Sequence, residues 1–324
     1  MKRCVEGVEL DLEGLFLLPG LINAHDHLDF ALFPRLGRGP YPNATAWAKD
    51  IYHPATSPIA EHLQIPMPVR LLWGGLRNLL AGVTTVSHHN PYDPTFDENF
   101  PVRVVKNYGW AHSLAFDDVR AKFDATPPGA PFLIHAAEGT DAASAAEVFE
   151  LDHLGLLNDR TVLIHAVGVD DAGWQVVRAR RASVVVCPRS NAFTLGLTAK
   201  VPADIPVALG TDSPLTAEGD FLDELDGFSE THQAAAAKIL RLQPTGDYIA
   251  TPAFGQQPQL VVIADRIHLI CPRLATALPA PLRAEFFLLQ IECREPVLVR
   301  WNIPRLIAQT RFDTIRLAGR LVMQ

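Results

Sequence analysis

Apolar runs alternate along the chain with segments whose apolar residues recur at helical spacing. Helical spacing spans residues 69–81, 141–149, 171–179 and 222–242. The apolar runs are Val83 to Val86, Val102 to Lys106, Phe132 to Ile134, Thr161 to Ile164, Ser183 to Val186 and Val207 to Leu209. Because these runs lack the alternation of a half-exposed strand, they predict parallel strands buried on both faces. The pattern therefore predicts an α/β fold.

Histidine or aspartate ends one predicted strand after another. These residues are His25, His27, His88, His89, His135, His165 and Asp212. In a (β/α)8 barrel the carboxyl ends of the strands meet at one face, where the active site is built. An open dinucleotide-binding sheet is disfavoured, since no GxGxxG motif follows an early strand. We therefore expect a TIM-type (β/α)8 barrel.

The two ends of the chain differ in pattern from its middle. Residues 1–18 alternate apolar and polar side chains, and the tail beyond residue 247 contains several short strand patterns. We expect residues 19–247 to form the barrel, and residues 1–18 with 248–324 to form a small β-rich accessory domain. Residues 102–131 are short for two complete βα units, so an imperfect barrel stays open.

Residues 28–68 form a long segment rich in glycine, proline and aromatic side chains. A loop of this length inside a compact domain is usually functional or disordered, and the aromatics favour an ordered lid. A surface segment that packs for stability alone agrees equally well with the sequence.

Composition and charge limit the classes of partner. The 324 residues are 48% hydrophobic and 20% charged, with a formal net charge of −8. An acidic balance argues against nucleic acid and anionic membranes as partners. The four cysteines are scattered, and neither a secretory signal nor an apolar run of membrane-spanning length is evident, so a cytoplasmic protein with reduced thiols is expected. A small-molecule substrate is expected, and homo-oligomerisation stays open.

His25 and His27 have the spacing of a metal-binding pair. Side chains two residues apart on a strand project to the same side, so the two imidazoles would lie side by side. By the same alternation, Asp26 should point away from the metal. One such pair is weak evidence by itself.

Four stretches together give a far more specific signal. They are Pro19 to His27 (PGLINAHDH), His135 to Glu138 (HAAE), His165, and Gly210 to Ser213 (GTDS). In this order and spacing they resemble the amidohydrolase superfamily, and within it the deaminase and chlorohydrolase branch that includes cytosine, guanine and aminofutalosine deaminases. Cys187 to Asn191 (CPRSN) is similar to a segment of that branch, and the final LAGRLVM resembles its closing strands.

The resemblance implies a one-metal active site. His25, His27, His135 and Asp212 would bind one divalent cation, zinc or, as the second choice, ferrous iron. Glu138 would protonate a ring nitrogen and carry a proton to the leaving amine. His165 would orient the water, and Asp212 would also accept its proton. The expected reaction is release of ammonia from an amino-substituted heterocycle by attack of a metal-bound hydroxide, which makes the chain a hydrolase of carbon–nitrogen bonds other than peptide bonds.

Two other functions stay open. In a binuclear cyclic amide hydrolase, a carboxylated lysine would bridge two metals, with Lys106 as the candidate and His165 as a ligand of the second metal. The second alternative is a non-catalytic metal-binding barrel, which would keep the fold without the activity. The short region of residues 102–131 favours this alternative. Glu138 argues against both, because it supplies the proton shuttle of the one-metal branch. Arg189 is either a contact for an anionic substrate group or a solvated side chain.

Overall fold

The computed structural model describes residues 1–225 and 230–323, with the backbone alone at residues 230 and 231. In chain order its strands are β1 (Lys2–Val5), β2 (Val8–Asp11), β3 (Phe16–Pro19), β4 (Leu21–Asp26), β5 (Val83–His88), β6 (Arg103–Val104), β7 (Gly109–Ala111), β8 (Phe132–Ala136), β9 (Thr161–His165), β10 (Ser183–Val186), β11 (Val207–Leu209), β12 (Tyr248–Thr251), β13 (Leu260–Ile263), β14 (Arg266–Ile270), β15 (Phe287–Ile291), β16 (Val297–Val299), β17 (Arg316–Leu317) and β18 (Arg320–Met323). Its α-helices are α1 (Ala44–Ile51), α2 (Ile59–Leu63), α3 (Met67–Leu80), α4 (Val119–Ala125), α5 (Ala142–His153), α6 (Asp171–Arg180), α7 (Pro188–Leu195), α8 (Phe221–Glu224), α9 (Glu230–Ile239), α10 (Pro272–Ala275), α11 (Ala280–Arg283) and α12 (Ile303–Thr310).

Two parallel sheets contain the strands that the sequence predicts as buried. One sheet has the order β4-β5-β6, and the other has the order β11-β10-β9-β8-β7. The pairings within both sheets are parallel. All six residues of β5 are buried, as are all five of β9, which explains why neither strand alternates between apolar and polar residues. The predicted α/β fold with parallel strands is confirmed.

The two parallel sheets meet along β4 and the residues that follow β11. The Thr211 amide donates to the His25 carbonyl at 2.9 Å, and a parallel bridge joins Asp26 to Asp212. Gly210 permits this approach, because a Cβ there would lie 2.6 Å from the Cβ of His25. The strand that carries the HxH pair is thereby joined to the strand that precedes Asp212.

The short region after β5 differs from a regular repeat of strand and helix. Residues 105–108 connect β6 to β7 without a helix, whereas α4 separates β7 from β8. The predicted shortage of chain in residues 102–131 therefore corresponds to one helix fewer at this point. In contrast, residues 28–68 contain more regular structure than expected, namely α1, α2 and a 3-10 turn at Leu28–Phe30.

The chain ends pair with each other as predicted. An antiparallel sheet has the order β17-β18-β15-β16-β14-β13-β12-β3, in which β3 from the amino end pairs with β12. The chain ends in a hairpin of β17 and β18, with Gly319 in the left-handed region at its turn. The division into a barrel of residues 19–247 and an accessory domain stays a prediction.

The predicted helix over residues 222–242 corresponds to α8 and α9, and its residues 226–229 lie outside the described part of the chain. Among the described residues, no helix combines the length and the apolar character that crossing a membrane requires.

Candidate metal centre

Parallel strands bring the predicted site residues to one end of the fold. His25 lies in β4, and His135 lies in β8. His165 is the last residue of β9, and Asp212 follows β11. Since carboxyl ends of parallel strands lie at the same edge of a sheet, residues far apart in sequence converge here.

Three imidazole nitrogens and one carboxylate oxygen converge on a common centre. The Nε2 atoms of His25 and His135 lie 3.1 Å apart. Asp212 Oδ1 lies 3.6 Å from His25 Nε2 and 3.5 Å from His27 Nε2. Ligand atoms ~2.0–2.1 Å from a tetrahedral zinc ion lie ~3.3 Å from each other. The donor set and its spacing therefore fit a zinc ion.

The protonation states at this centre also suit a cation. Burial lowers the pKa of His25 below its ordinary value, and lowers the pKa of His27 and of His135 further. These imidazoles are therefore neutral near pH 7, with nitrogen lone pairs free for a metal. Burial acts to raise the pKa of the Asp212 carboxyl, but the hydrogen bond with His25 and the surrounding imidazoles hold that pKa well below its usual range.

Glu138 and His165 face each other beside the cluster. Glu138 Oε1 lies 3.5 Å from His165 Nε2. Burial raises the pKa of Glu138 to about 7, so this carboxyl can both hold and release a proton near neutral pH. The ring centroid of His165 lies 5.2 Å from that of His135.

Helix α7 supplies hydrogen bonds to two of these residues. The Ser190 hydroxyl donates to Asp212 Oδ2 at 2.7 Å, which leaves Oδ1 directed at the imidazoles. Asn191 Oδ1 lies 2.7 Å from His165 Nδ1, and its amide nitrogen donates to Thr198 Oγ1 at 3.2 Å. The amide oxygen of Asn191 therefore accepts a hydrogen bond from Nδ1–H of His165, and Nε2 of that ring presents its lone pair to the centre. Neither role was predicted, although the CPRSN stretch that contains both residues was singled out.

Backbone strain marks the same strand ends. Ala137, His165 and Asp212 have φ values of 52°, 73° and 56°, in the left-handed region that non-glycine residues rarely adopt. Such conformations cost of order 1–3 kcal/mol each and are concentrated at functional sites. A hydrogen bond holds the backbone at Ala137, after β8: its amide donates to Glu147 Oε2 at 2.6 Å.

The weaker sequence candidates differ in whether they line the cleft. His89 is buried and its Nε2 contacts the Ala111 carbonyl oxygen at 2.9 Å, whereas His88 accepts a hydrogen bond from the Leu28 amide and lines the cleft. Arg189 Nε donates to the Glu218 carbonyl at 3.2 Å and does not line the cleft. His112, which sequence reasoning missed, lines the cleft with its ring centroid 6.1 Å from that of His27.

Lys106, the candidate bridging ligand, lies at the surface. Its side chain is 64% exposed and pairs with Asp97. Asp26 points away from the ligand cluster, as strand alternation predicts, and forms an ion pair with Arg77 at 2.9 Å.

The cluster opens into a cleft of about 1240 Å³. His27, His135, Glu138, His165 and Asp212 lie in its lining. Aromatic side chains from the predicted lid segment and from two other loops complete the walls: Phe30, Trp47, Tyr52, Tyr92 and Phe116. Residues 28–68 thus contribute directly to the cleft.

Comparison with known proteins gives related sequences among the deaminases. No family model matches the chain. The 5-methylthioadenosine/S-adenosylhomocysteine deaminase of Clostridium tetani is 25% identical over 256 residues, which cover 62% of this chain and 57% of that protein. The protein of the same name from Pelotomaculum thermopropionicum is 28% identical over 137 residues, 39% of this chain and 30% of that protein. The matches thus span less than two thirds of either relative.

Solved structures of deaminases and of a chlorohydrolase share the fold. An adenosine deaminase from Xanthomonas campestris with bound zinc has a TM-score of 0.62 and 16% identity, covering 92% of this chain and 85% of that one. Atrazine chlorohydrolase of Arthrobacter aurescens complexed with zinc has a TM-score of 0.61 and 14% identity, covering 92% and 88%. Guanine deaminase of E. coli has a TM-score of 0.57 and 14% identity, covering 79% and 85%.

The chain shares its fold with these deaminases and with the chlorohydrolase, and both related sequences are named as deaminases. The resemblance to deaminases and chlorohydrolases that the motifs indicate is thus confirmed.

Proposed function

We propose that the chain is a one-metal deaminase that releases ammonia from an amino-substituted heterocycle. The observation that carries this proposal is the convergence of three imidazole nitrogens and the Asp212 carboxylate beside Glu138, whose side chain is 14% exposed and whose pKa is raised to about 7. A metal site alone would serve many functions, but an adjacent acid that titrates at neutral pH suits proton transfer to a leaving amine.

We assign His25, His27, His135 and Asp212 as the ligands of one divalent cation. Zinc is the first candidate because the spacing of the donors fits its tetrahedral geometry, and ferrous iron is the second. When bound, such a cation lowers the pKa of a water molecule towards about 7.

The residues around the cation divide the proton transfers. The Asp212 carboxylate is ionised at neutral pH and can accept a proton from the attacking water. Glu138 donates its proton to a ring nitrogen of the substrate and then carries a proton to the departing amine. His165, with its Nδ1 proton held by Asn191, orients the water through Nε2.

The cleft supports a small, largely apolar substrate. Its aromatic walls suit stacking against a flat heterocycle. Among the described lining residues, Lys49 is the one lysine or arginine, whereas Asp29, Asp93 and Glu147 add negative charge. We therefore expect neutral amino-heterocycles with an apolar substituent to react, and their phosphorylated forms to be rejected.

The parallel strands belong, in this proposal, to an imperfect (β/α)8 barrel. The two sheets join into eight strands in the order β6-β5-β4-β11-β10-β9-β8-β7. The missing helix lies between β6 and β7, the two strands at the ends of this order. We further propose residues 19–247 as the barrel, with residues 1–18 and 248–324 as the accessory domain. The cytoplasmic location stays a prediction.

The binuclear alternative is less well supported, because Lys106 is exposed and paired with Asp97. Metal analysis of the purified chain tests this directly. We expect close to one zinc or iron per chain, and a value near two would favour the cyclic amide hydrolase.

Ammonia release from metal-replete protein tests the activity itself. The panel comprises aminopurine nucleosides, aminopyrimidines and aminotriazines, each nucleoside paired with its 5′-phosphate. Nucleosides come first because the two related sequences are named for 5-methylthioadenosine and S-adenosylhomocysteine. Metal binding without release of ammonia from any compound would favour the non-catalytic metal-binding barrel instead.

A further inference from the structure

A buried polar network lies behind the candidate ligands, on the side away from the cleft. Its members are Asn23, Asp26, Arg77, Asn78 and Thr211, and we call them the Asp26 network. The side chains of Asp26 and Arg77 are 1% and 2% exposed, and their ion pair measures 2.9 Å. None of these residues lines the cleft.

One guanidinium nitrogen of Arg77 connects α3 to β4 and to the turn after β11, two of the three segments that carry the proposed ligands. Arg77 Nη2 donates to Asp26 Oδ2, which belongs to β4, and to Thr211 Oγ1 at 2.8 Å. It also donates to the backbone carbonyl of Asp212 at 3.1 Å. A single atom therefore holds the residue between His25 and His27 and the backbone of the fourth ligand.

Asn23 makes a second connection between the same strands. Its amide nitrogen donates to Thr211 Oγ1 at 2.9 Å and to Asp26 Oδ2 at 3.2 Å, and its oxygen accepts from the Thr211 amide at 3.2 Å. Both connections cross the junction of β4 and β11. They restrain the backbone where Asp212 adopts its strained left-handed conformation, with φ of 56°.

Burying the Asp26 network costs more free energy than filling the same space with apolar side chains. Desolvating two charges costs several kcal/mol per ion, and well-packed apolar side chains often stabilise a fold as well or better. Asp26 Oδ1 has no hydrogen-bond partner among the described residues, so the desolvation is not fully compensated. The placement of the contacts, directly on the ligand-bearing strand ends, indicates a role that apolar packing could not perform.

We propose that Arg77 and Asp26 are positioning residues that set the spacing of His25, His27 and Asp212, and hence the affinity for the metal. This inference rests on the metal centre of the proposed function. Neither residue touches the metal or the substrate: they act through the backbone and through Thr211.

The double variant D26N/R77M tests the inference. It removes both charges, keeps similar shapes, and leaves no unpaired buried ion. Zinc affinity is measured by competition with a chelator, and the visible spectrum of the cobalt-loaded protein reports the ligand geometry. We expect zinc affinity to fall 10–100-fold, as for other residues that orient metal ligands, together with an altered cobalt spectrum.

The pair Arg103 and Asp247 provides the control. Its ion pair measures 2.6 Å, with the Asp247 side chain 1% and the Arg103 side chain 38% exposed, and it lies near the amino ends of the parallel strands, where β6 begins. R103M/D247N should change the unfolding temperature of the metal-free protein without changing zinc affinity. Thr211→Val is a milder second variant, which removes only the hydroxyl shared by Arg77 and Asn23, and should weaken zinc binding to a smaller extent.

Unchanged zinc affinity and cobalt spectrum in both D26N/R77M and Thr211→Val would overturn the inference while leaving the proposed function in place. Equal weakening in the control pair would also overturn it, because the effect would then follow from stability alone. Failure of the unaltered chain to bind zinc or cobalt would overturn the metal centre, and the inference with it.

Discussion

Glu138 is the residue whose environment says most about the chemistry. It lies three positions after His135 in the sequence and faces His165 at 3.5 Å in the cleft. Burial raises its pKa to about 7. A carboxyl of this kind is protonated in an appreciable fraction of molecules at neutral pH, which a solvated glutamate is not.

Replacing Glu138 by Gln should abolish ammonia release and leave the metal content unchanged. The amide keeps the shape of the side chain but cannot exchange a proton with the leaving amine. Turnover is measured with the most active compound of the panel, and metal by elemental analysis of the same sample. Loss of the metal together with the activity would instead make Glu138 a structural part of the metal site.

The pH dependence of kcat/KM should show a limb near pH 7. The protonated Glu138 is the active form, so its population and the rate fall as pH rises through about 7. Burial is the main cause of the raised pKa, and the negative charge of Glu147 contributes. Glu147→Gln, whose oxygen can still accept from the Ala137 amide, should move the limb to lower pH. A limb at the same pH in this variant would contradict the assignment to Glu138.

Asn191→Ala should lower kcat/KM without releasing the metal. The substitution removes the acceptor for the Nδ1 proton of His165, and the ring can then rotate or change tautomer. One such hydrogen bond is worth about 1–3 kcal/mol, or roughly 10–100-fold in rate. Asn191→Asp keeps an acceptor oxygen and should recover part of the rate. Equal losses in the two variants would show that packing, rather than the hydrogen bond, is what matters.

At the scale of elements, the junction of β4 with the turn after β11 decides whether the ligands can meet. This contact depends on Gly210, since a Cβ there would lie 2.6 Å from the His25 Cβ and 2.9 Å from its carbonyl oxygen. Real Cβ atoms do not approach other atoms so closely, so a larger residue must push the two strands apart.

Gly210→Ala should therefore weaken metal binding and destabilise the fold by about 1–3 kcal/mol, the usual cost of overpacking. The readouts are zinc affinity and the free energy of unfolding from urea titration. Gly129→Ala is the control, because residue 129 has a φ of 78° and no neighbouring atom within 4 Å of the added Cβ, so the substitution strains the backbone there without pressing on the metal centre. Equal zinc affinity in Gly210→Ala and the unaltered chain would show that the junction tolerates the displacement.

At the scale of the whole molecule, the stability of the fold should depend on pH through Glu224. This carboxyl is 4% exposed, and burial raises its pKa from the ordinary 4.5 to about 8. Between these two values the folded chain holds a proton that the unfolded chain has released. The free energy of unfolding therefore falls as pH rises from 4.5 to about 8, and the contribution is fully present only below this range.

Glu224→Gln cannot ionise and should lose less stability over this range than the unaltered chain. Between pH 5 and 7.5 the free energy of unfolding of the unaltered chain should fall by roughly 3 kcal/mol more than that of the variant, at about 1.4 kcal/mol per pH unit. Unfolding in urea at several pH values measures it, with the exposed Glu98→Gln as the control. Parallel curves for the unaltered chain and Glu224→Gln would contradict the prediction.

The sequence by itself determined the features that local spacing encodes. His25 and His27 are recognised as a pair because residues two apart on a strand share a face, and the uniformly apolar runs predict buried parallel strands. The order of PGLINAHDH, HAAE, His165 and GTDS was enough to indicate the resemblance to the deaminases. The change of pattern at the two chain ends predicted that they belong together, and the structure shows that they do so through the pairing of β3 with β12.

Only the tertiary structure decided which distant side chains support the ligands. Arg77 lies on α3 and Ser190 on α7, yet they contact residue 212 through its backbone and its carboxylate. No periodicity connects such positions, because their contacts depend on how helices pack against strand ends rather than on spacing along the chain. The pKa of Glu138 has the same origin, since it is raised mainly because the fold removes water from around this side chain.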